Sequence, residues 1–274
     1  MLLPEVHPFI SDGRGEFERR YQRWADLHHR FGSARSYPYA WRLPDVARHA
    51  DASARARAAL ALAETLYAMG RFGDALAALP PASHAAAAVH ELRARCLWLT
   101  GALSAAREAI RRAGYPDPLD TLRALADFAQ LSGDGEADGP ILAYRQASAA
   151  SGGVHEAWSA LLLDWLDPGG DMADAHLALA WLRRFQPAFS AVGEAIHAEA
   201  RFRASPAHAL VWLDHALEQV ERYGQHGLKS RLLQRKAMAL EAAGQLGLAA
   251  RCAKLAHETA QRQGTWLEPE GMAP

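Results

Sequence analysis

The chain is short of lysine, cysteine, β-branched residues and net charge, and each shortage removes a class of function. Only Lys229, Lys236 and Lys254 are lysines among 30 basic residues. An Ala- and Arg-rich, Lys-poor composition of this kind follows genomic base composition, so the arginine excess does not by itself mark phosphate or carboxylate recognition. The formal net charge is −1, which leaves no global field to gather nucleic acid or an anionic membrane. The two cysteines, Cys96 and Cys252, are far apart and sit in apolar helical patterns. They read as buried free thiols, and no CxxC pair offers a metal or redox site. No run approaches the roughly 18 consecutive apolar residues of a membrane span. The opening Met1–Pro8 has no basic stretch and is interrupted by Pro4, unlike a secretory signal. The expected compartment is the cytoplasm.

Catalytic and cofactor motifs are equally scarce. His90-Glu91, His155-Glu156 and His257-Glu258 would need a second histidine at Ala94, Ser159 and Gln261 to make HExxH, so a zincin site is excluded. The glycine-rich segments Gly13–Gly15 and Gly133–Gly139 form no GxxxxGK[ST], and no GxSxG elbow occurs. Asp164 and Asp167, and Asp171 and Asp174, read as solvated charge or helix-end complements rather than an acid/base pair. No nucleophile, base and orienter can be assembled, and no metal or cofactor is expected. The densest basic run, Arg222, Lys229, Arg231, Arg235 and Lys236, reads as a solvated face, without a recognition helix or an aromatic-bearing strand for nucleic acid.

What is present is helix. Half of the chain is apolar, mostly Ala and Leu, which favours helix over strand because unbranched side chains lose little freedom there. The first dozen residues, with Pro4, Pro8 and Ser11-Asp12-Gly13, read as irregular. Gly15 to Phe31 then reads as a helix with Phe17, Tyr21, Trp24, Leu27 and Phe31 on one stripe. Packing of that stripe on the following array is the favoured reading, with a homodimer contact as the alternative. Gly32 to Pro44, rich in Ser, Tyr and Pro, reads as an ordered loop or one turn packed over the array.

From Asp51 a repeat sets in. Turn residues Gly70, Gly101, Gly133, Gly170, Ala204 and Gly244 recur at intervals of 31, 32, 37, 34 and 40. Seven residues before each stand Ala63, Ala94, Ala126, Leu163, His197 and Ala237. Five after come Ala75, Ala106, Ala175, Ala209 and Ala249, with the third unit out of step. An insertion at Gly135–Gly139 accounts for this, and a slide by five restores alanine at Ala143 and Ala150. Small residues are needed where two helices cross at about 8–10 Å. A single pair leaves an apolar face that stacked neighbours cover.

Over roughly Ala54 to Gln263 this pattern resembles the tetratricopeptide repeat family, carried by Gly70, Ala75, Gly101, Ala106, Gly244 and Ala249, the alanines seven before the turns, and Pro118 as a closing proline. The last two pairs, joined through Glu221–Gly227, resemble the longer repeats beside regulatory modules of bacterial signalling proteins. The resemblance implies an all-α fold: a right-handed superhelical α-solenoid of about six antiparallel helix pairs with an N-terminal helical extension. The expected division is an extension at 1–50, a repeat domain at 51–264 and a tail at 265–274.

In such an array the first helices line the concave side. Placing them by their turns puts there Glu64 and Tyr67, then Glu91, Arg95 and Trp98, then Arg123 and Asp127, then Asp164, then Glu194 and Arg201, then Arg231, Gln234 and Arg235. The candidate partner-binding residues are Glu64, Tyr67, Glu91, Arg95, Trp98, Arg123, Asp127, Arg201, Arg231 and Arg235. Trp98 and Tyr67 are the expected anchors, because aromatics give large contact area at small entropy cost. The lining lacks the uniform Lys/Asn set with which family members clamp a terminal carboxylate. The expected function is a non-enzymatic scaffold binding a peptide or helix of another protein. The alternative is a regulatory or sensor module of a bacterial system that binds a small peptide or metabolite.

Overall fold

The computed structural model describes residues 13–81, 86–133 and 137–265. Residues 1–12, most of the expected tail and part of the Gly135–Gly139 insertion lie outside them. Among the described residues, helix is the regular structure: α1 (Gly13–Phe31), α2 (Ser33–Ala40), α3 (Leu43–Ala47), α4 (Ala52–Ala68), α5 (Phe72–Ala78), α6 (Ala87–Leu99), α7 (Leu103–Arg111), α8 (Pro118–Ser132), α9 (Asp138–Ser148), α10 (Gly153–Leu166), α11 (Ala173–Phe185), α12 (Pro187–Ala204), α13 (Leu210–Tyr223), α14 (Lys229–Ala242) and α15 (Leu246–Gln263). From α4 onward the helices pack in adjacent pairs, α4 with α5 through α14 with α15. Successive first helices α4, α6, α8, α10, α12 and α14 also touch one another.

Local chemistry sets the boundaries. Asp51 caps α4 by accepting from the Ala54 amide at 2.8 Å, and Asp117 caps α8 just before Pro118. At Gly70, Gly101 and Gly244 the same closing turn recurs. Each glycine is left-handed, and the next amide reaches back to the carbonyl five residues earlier (Arg71 to Leu66, 2.9 Å; Ala102 to Leu97, 2.8 Å; Gln245 to Leu240, 2.8 Å). The repeated glycines therefore mark a repeated backbone geometry. Gly170 differs: it lies in the loop between α10 and α11 without a positive φ.

The alanines also do what their spacing predicts. Ala63, Ala94, Ala126, Ala75, Ala106, Ala175 and Ala209 are all essentially inaccessible, as close helix crossings require. The third pair is the exception, and the slide by five is corrected here. Ala143 and Ala150 are exposed, while Ile141 and Tyr144 are fully buried. Helix α9 starts only at Asp138, so its fourth residue, Ile141, takes the place that Ala75 holds in α5.

The segment 32–44 is also corrected, from loop to the two short helices α2 and α3. Tertiary burial overrides a turn-like composition: Ser33, Ser36, Ala40 and Leu43 are fully buried, and the Ser36 hydroxyl meets His28 Nδ1 at 3.0 Å. Helix α1 packs most of its stripe inward, while Phe31 at its end stays exposed. Phe17 and Trp24 are buried in one cluster with Ala54, Ala58 and Ala61 of α4, and the Trp24 indole donates to Thr65 Oγ1 at 3.0 Å. Phe17 and Trp24 are thus covered within the chain.

The N-terminal helices do more than cover α4. They also reach α12 and the end of α13, so the array closes on itself. His29 stacks on Phe189 at 6.0 Å, and the Ser33 hydroxyl donates to the Gly224 carbonyl. The left-handed Gly32 lies so close to Tyr223 that a β-carbon would overlap its carbonyl oxygen. Farther on, Gly227 packs against the Tyr67 carbonyl and the Phe72 ring.

Candidate functional site

Helical spacing places Glu91 and Arg95 on one face of α6, and Arg123 and Asp127 on one face of α8, each four residues apart. Stacking of the two first helices turns these pairs into a closed ring. Arg95 donates to Glu91 at 2.7 Å and to Asp127 at 2.9 Å. Arg123 donates to Asp127 at 2.7 Å and to Glu91 at 3.0 Å. The Tyr115 hydroxyl adds a bond to Glu91 at 2.6 Å, and the indole of Trp158 on α10 donates to the other oxygen of Asp127. Burial raises the affinity of Glu91 for a proton, but the Arg95 and Arg123 guanidiniums and the Tyr115 bond overcome it. Its pKa falls to about 2.

Glu64 and Tyr67 stand on α4 beside this ring. Both retain partial exposure, although protein surrounds them on the inner side of the array. Burial, followed by the neighbouring Glu91 charge, pushes the Glu64 carboxyl up to about 7. Burial also raises the Tyr67 phenol, while Arg95 works in the opposite direction. Six candidates, Glu64, Tyr67, Glu91, Arg95, Arg123 and Asp127, therefore come together.

The other candidates sit elsewhere. Trp98 is buried, edge-on to Phe128 at 5.7 Å and beneath Arg107 at 5.7 Å, so its ring forms part of the contact between neighbouring pairs. Arg201 pairs with Asp164, which also meets His197 Nδ1 at 2.7 Å. The fully buried His197 ring stands edge-on to Trp212 at 4.9 Å. Arg231 pairs with Glu199 at 2.6 Å and donates to the Leu131 carbonyl at 3.1 Å, while Gln130 donates to the same Glu199 at 3.1 Å. This second cluster joins α8, α12 and α14. Arg235 lies over the Phe202 ring at 5.4 Å. Glu194, also on α12, is held by Arg183 Nε at 2.8 Å.

The sequence reading missed Tyr115, Trp158, Gln130 and Glu199. Nothing in the Gly114–Pro118 loop marks Tyr115, but Trp158, Gln130 and Glu199 were open to discovery as polar or indole groups on first-helix faces. Three of the five residues of the basic run are ion-paired, Lys229 with Glu221, Lys236 with Asp214 at 2.5 Å and Arg231 with Glu199, while Arg222 lies over the Tyr223 ring.

Chemically, this wall is a network of mutually held charges. Its guanidiniums and carboxylates hold each other in fixed orientations, with the half-exposed Tyr67 and Glu64 presented beside them. Among the described residues no group of three or more His, Cys, Asp or Glu is arranged to hold a metal. Nor is any helix among them long and apolar enough to cross a membrane. Cys96 and Cys252 are free thiols, and burial pushes the Cys96 thiol up to about 12, which suits an inert core residue. No protein-family model matches the chain, and no curated protein matches it in sequence.

Proposed function

We propose that the chain is a tetratricopeptide-like, right-handed superhelical array of six helix pairs, acting as a non-enzymatic scaffold that binds an extended peptide of a partner protein along its inner wall. The observation that carries this reading is the placement of Tyr67 and Glu64: partly exposed, surrounded by protein, and set against a rigid ring of ion pairs. A peptide laid there meets an aromatic face, a phenol donor and oriented guanidiniums without ordering the wall first. The ring residues Glu91, Arg95, Arg123 and Asp127 shape the wall, and Tyr67 serves as anchor.

A displayed library of random peptides supplies the test. Selected peptides are expected to lose at least ten-fold in affinity on Tyr67→Ala, measured at a temperature where the variant is folded, since truncating a ring packed on Phe72 lowers its melting temperature. Peptides that bind Tyr67→Ala and Arg95→Ala as well as the parent chain would overturn the reading.

A further inference from the structure

One charge on the inner wall has no counter-charge. In the ring of α6 and α8 the guanidiniums of Arg95 and Arg123 are shared between the carboxylates of Glu91 and Asp127, so the four charges cancel. Where α4 meets α1, Arg57 donates to both oxygens of Glu18, at 2.6 and 3.1 Å. Glu64 stands between these two balanced sets. It follows Arg57 by seven residues and precedes Tyr67 by three, which puts all three on one face of α4, and α4 packs against both α1 and α6. Among the described residues the Glu64 carboxylate accepts no hydrogen bond and joins no ion pair. Glu91, Asp127, Asp164, Glu194 and Glu199, the other carboxylates of the inner wall, each have an arginine partner.

An unpaired carboxylate at this position destabilises the free chain. Burial and then the Glu91 charge push the Glu64 carboxyl up to about 7, and burial and then the Glu64 charge raise the Tyr21 phenol of α1. A neutral side chain of the same size would meet neither penalty. What the carboxylate offers is a fixed negative charge beside the partly exposed Tyr67, against which the peptide is read to lie. The guanidiniums of Arg57, Arg95 and Arg123 are engaged. An acidic side chain arriving there would have to break an existing ion pair, whereas a basic one would meet a carboxylate that is still unpaired. One positive charge brings this part of the wall to neutrality.

We propose that Glu64 sets the specificity of the inner wall by taking one basic side chain, a lysine ammonium or an arginine guanidinium, from the bound peptide beside its contact with Tyr67. This rests on the peptide-binding reading and names the partner's chemistry: an extended segment with a single basic residue where it crosses α4. The ring of α6 and α8 stays intact on binding, and Glu64 gains the counter-ion that the chain itself does not supply.

Three displayed peptide libraries test this on the full chain. The central position is fixed as a basic residue (lysine or arginine in equal parts), methionine or glutamate, and the remaining positions are random among uncharged residues. The basic library is expected to give Tyr67-dependent binders at least about ten-fold tighter at pH 8 than either of the others. Replacing the basic residue of such a binder by glutamine then closes a cycle with Glu64→Gln, a variant that folds because it removes an unfavourable charge. Each change alone should weaken binding at least about ten-fold, and both together no more than the larger single loss. Affinity of the basic peptide for the parent should also rise at least about ten-fold from pH 5.5 to pH 8.5 as the Glu64 carboxyl ionises, and stay flat for Glu64→Gln. The other groups facing Glu64 hold their charge across that window: Glu91, at about 2, the arginines, and the raised phenols of Tyr21 and Tyr67. His226, in the turn beside Tyr67, faces Glu221 at 3.6 Å and is common to parent and variant. Tyr67-dependent binders of equal affinity from all three libraries, or losses in the cycle that multiply, would overturn the role of Glu64 and leave the groove standing. Libraries that yield no binder, or only binders indifferent to Tyr67→Ala and Arg95→Ala, would overturn the peptide-binding reading and the role of Glu64 with it.

Discussion

Asp127 on α8 accepts from Arg95 on α6 across 2.9 Å, and that bond ties two consecutive first helices together at the inner wall. Asp127 is nearly inaccessible, whereas the Arg95 side chain keeps about a fifth of its surface in solvent (5% and 21% exposed). Removing the carboxylate strands the Trp158 indole N–H and leaves Arg95 and Arg123 with Glu91 as their one remaining carboxylate in the ring. Asp127→Ala is expected to cost about 3 kcal/mol, at the lower end for a broken buried pair because the arginines retain some water. Asp127→Asn keeps an acceptor for Trp158 and should cost less. Urea unfolding of both variants checks the order, and a loss below about 1 kcal/mol for Asp127→Ala would show that the ring does not hold the wall.

Closure of the array gives a second prediction, with a built-in control. Gly32, Gly133 and Gly224 all adopt positive φ, so replacing any of them with alanine costs about 1 kcal/mol of backbone strain. At Gly133 nothing stands within 4 Å of the added methyl, whereas at Gly32 it meets the Tyr223 backbone and at Gly224 the Ala34 amide and the Ser33 hydroxyl. Gly32→Ala and Gly224→Ala should therefore destabilise by at least about 2 kcal/mol more than Gly133→Ala. Hydrogen exchange should rise together in α1, α2 and the end of α13. Equal losses at the three positions would mean that the seam bears no load.

These two cases mark how far the sequence could be read. The turns at Gly70, Gly101 and Gly244 were legible because a left-handed closing turn has few alternatives to glycine. The crossings at Ala63 and Ala94 were legible because close approach has few alternatives to small residues. The i, i+4 pairs within α6 and α8 were legible as well. That they bond to each other, rather than to a partner, depends on how far one helix slides along the next, which spacing does not encode. For the same reason Trp98 read as an anchor yet packs between pairs. The seam of Gly32 with Tyr223 joins residues nearly 200 positions apart and leaves no local signal. In the third pair, a shifted helix start moved the crossing to Ile141, where a purely numerical slide had placed Ala143.

The crossings themselves yield a third prediction. Ala94 is fully buried on α6 within the cluster that includes Trp98, Ala106 and Phe128. Ala94→Leu adds three carbons where the packed helices leave no room, and overpacking of this kind costs about 1–3 kcal/mol. Ala143→Leu on exposed α9 should be close to neutral. Thermal melts of the pair decide between the observed register of the third pair and the slid one: in the slid register the two substitutions would be equally harmful.

Glu64 and Glu91, neighbours on the inner wall, should give stability an acid limb and an alkaline limb. For Glu91 the folded pKa of about 2 lies below the ordinary 4.5. Its contribution is therefore present above pH 4.5 and is lost as pH falls toward 2. For Glu64 the folded value of about 7 lies above 4.5. Its protonated form is the stabilising one, fully present below pH 4.5 and lost as pH rises through 7. His28, driven down to about 4 by burial and then by His29, works against Glu64 in the middle range, since its contribution falls away as pH drops from 6.5 to 4. Glu64→Gln keeps the amide-sized shape and never ionises. It should match the parent near pH 4.5 and exceed it at pH 8 by on the order of 2 kcal/mol, less than the full shift implies because the carboxyl retains contact with water. Glu91→Gln should do the reverse, losing stability at pH 7 and converging on the parent as pH approaches 2. Denaturant unfolding at half-unit steps from pH 2 to pH 9 separates the two, and parallel curves for Glu64→Gln and the parent between pH 5 and pH 8 would refute the raised carboxyl.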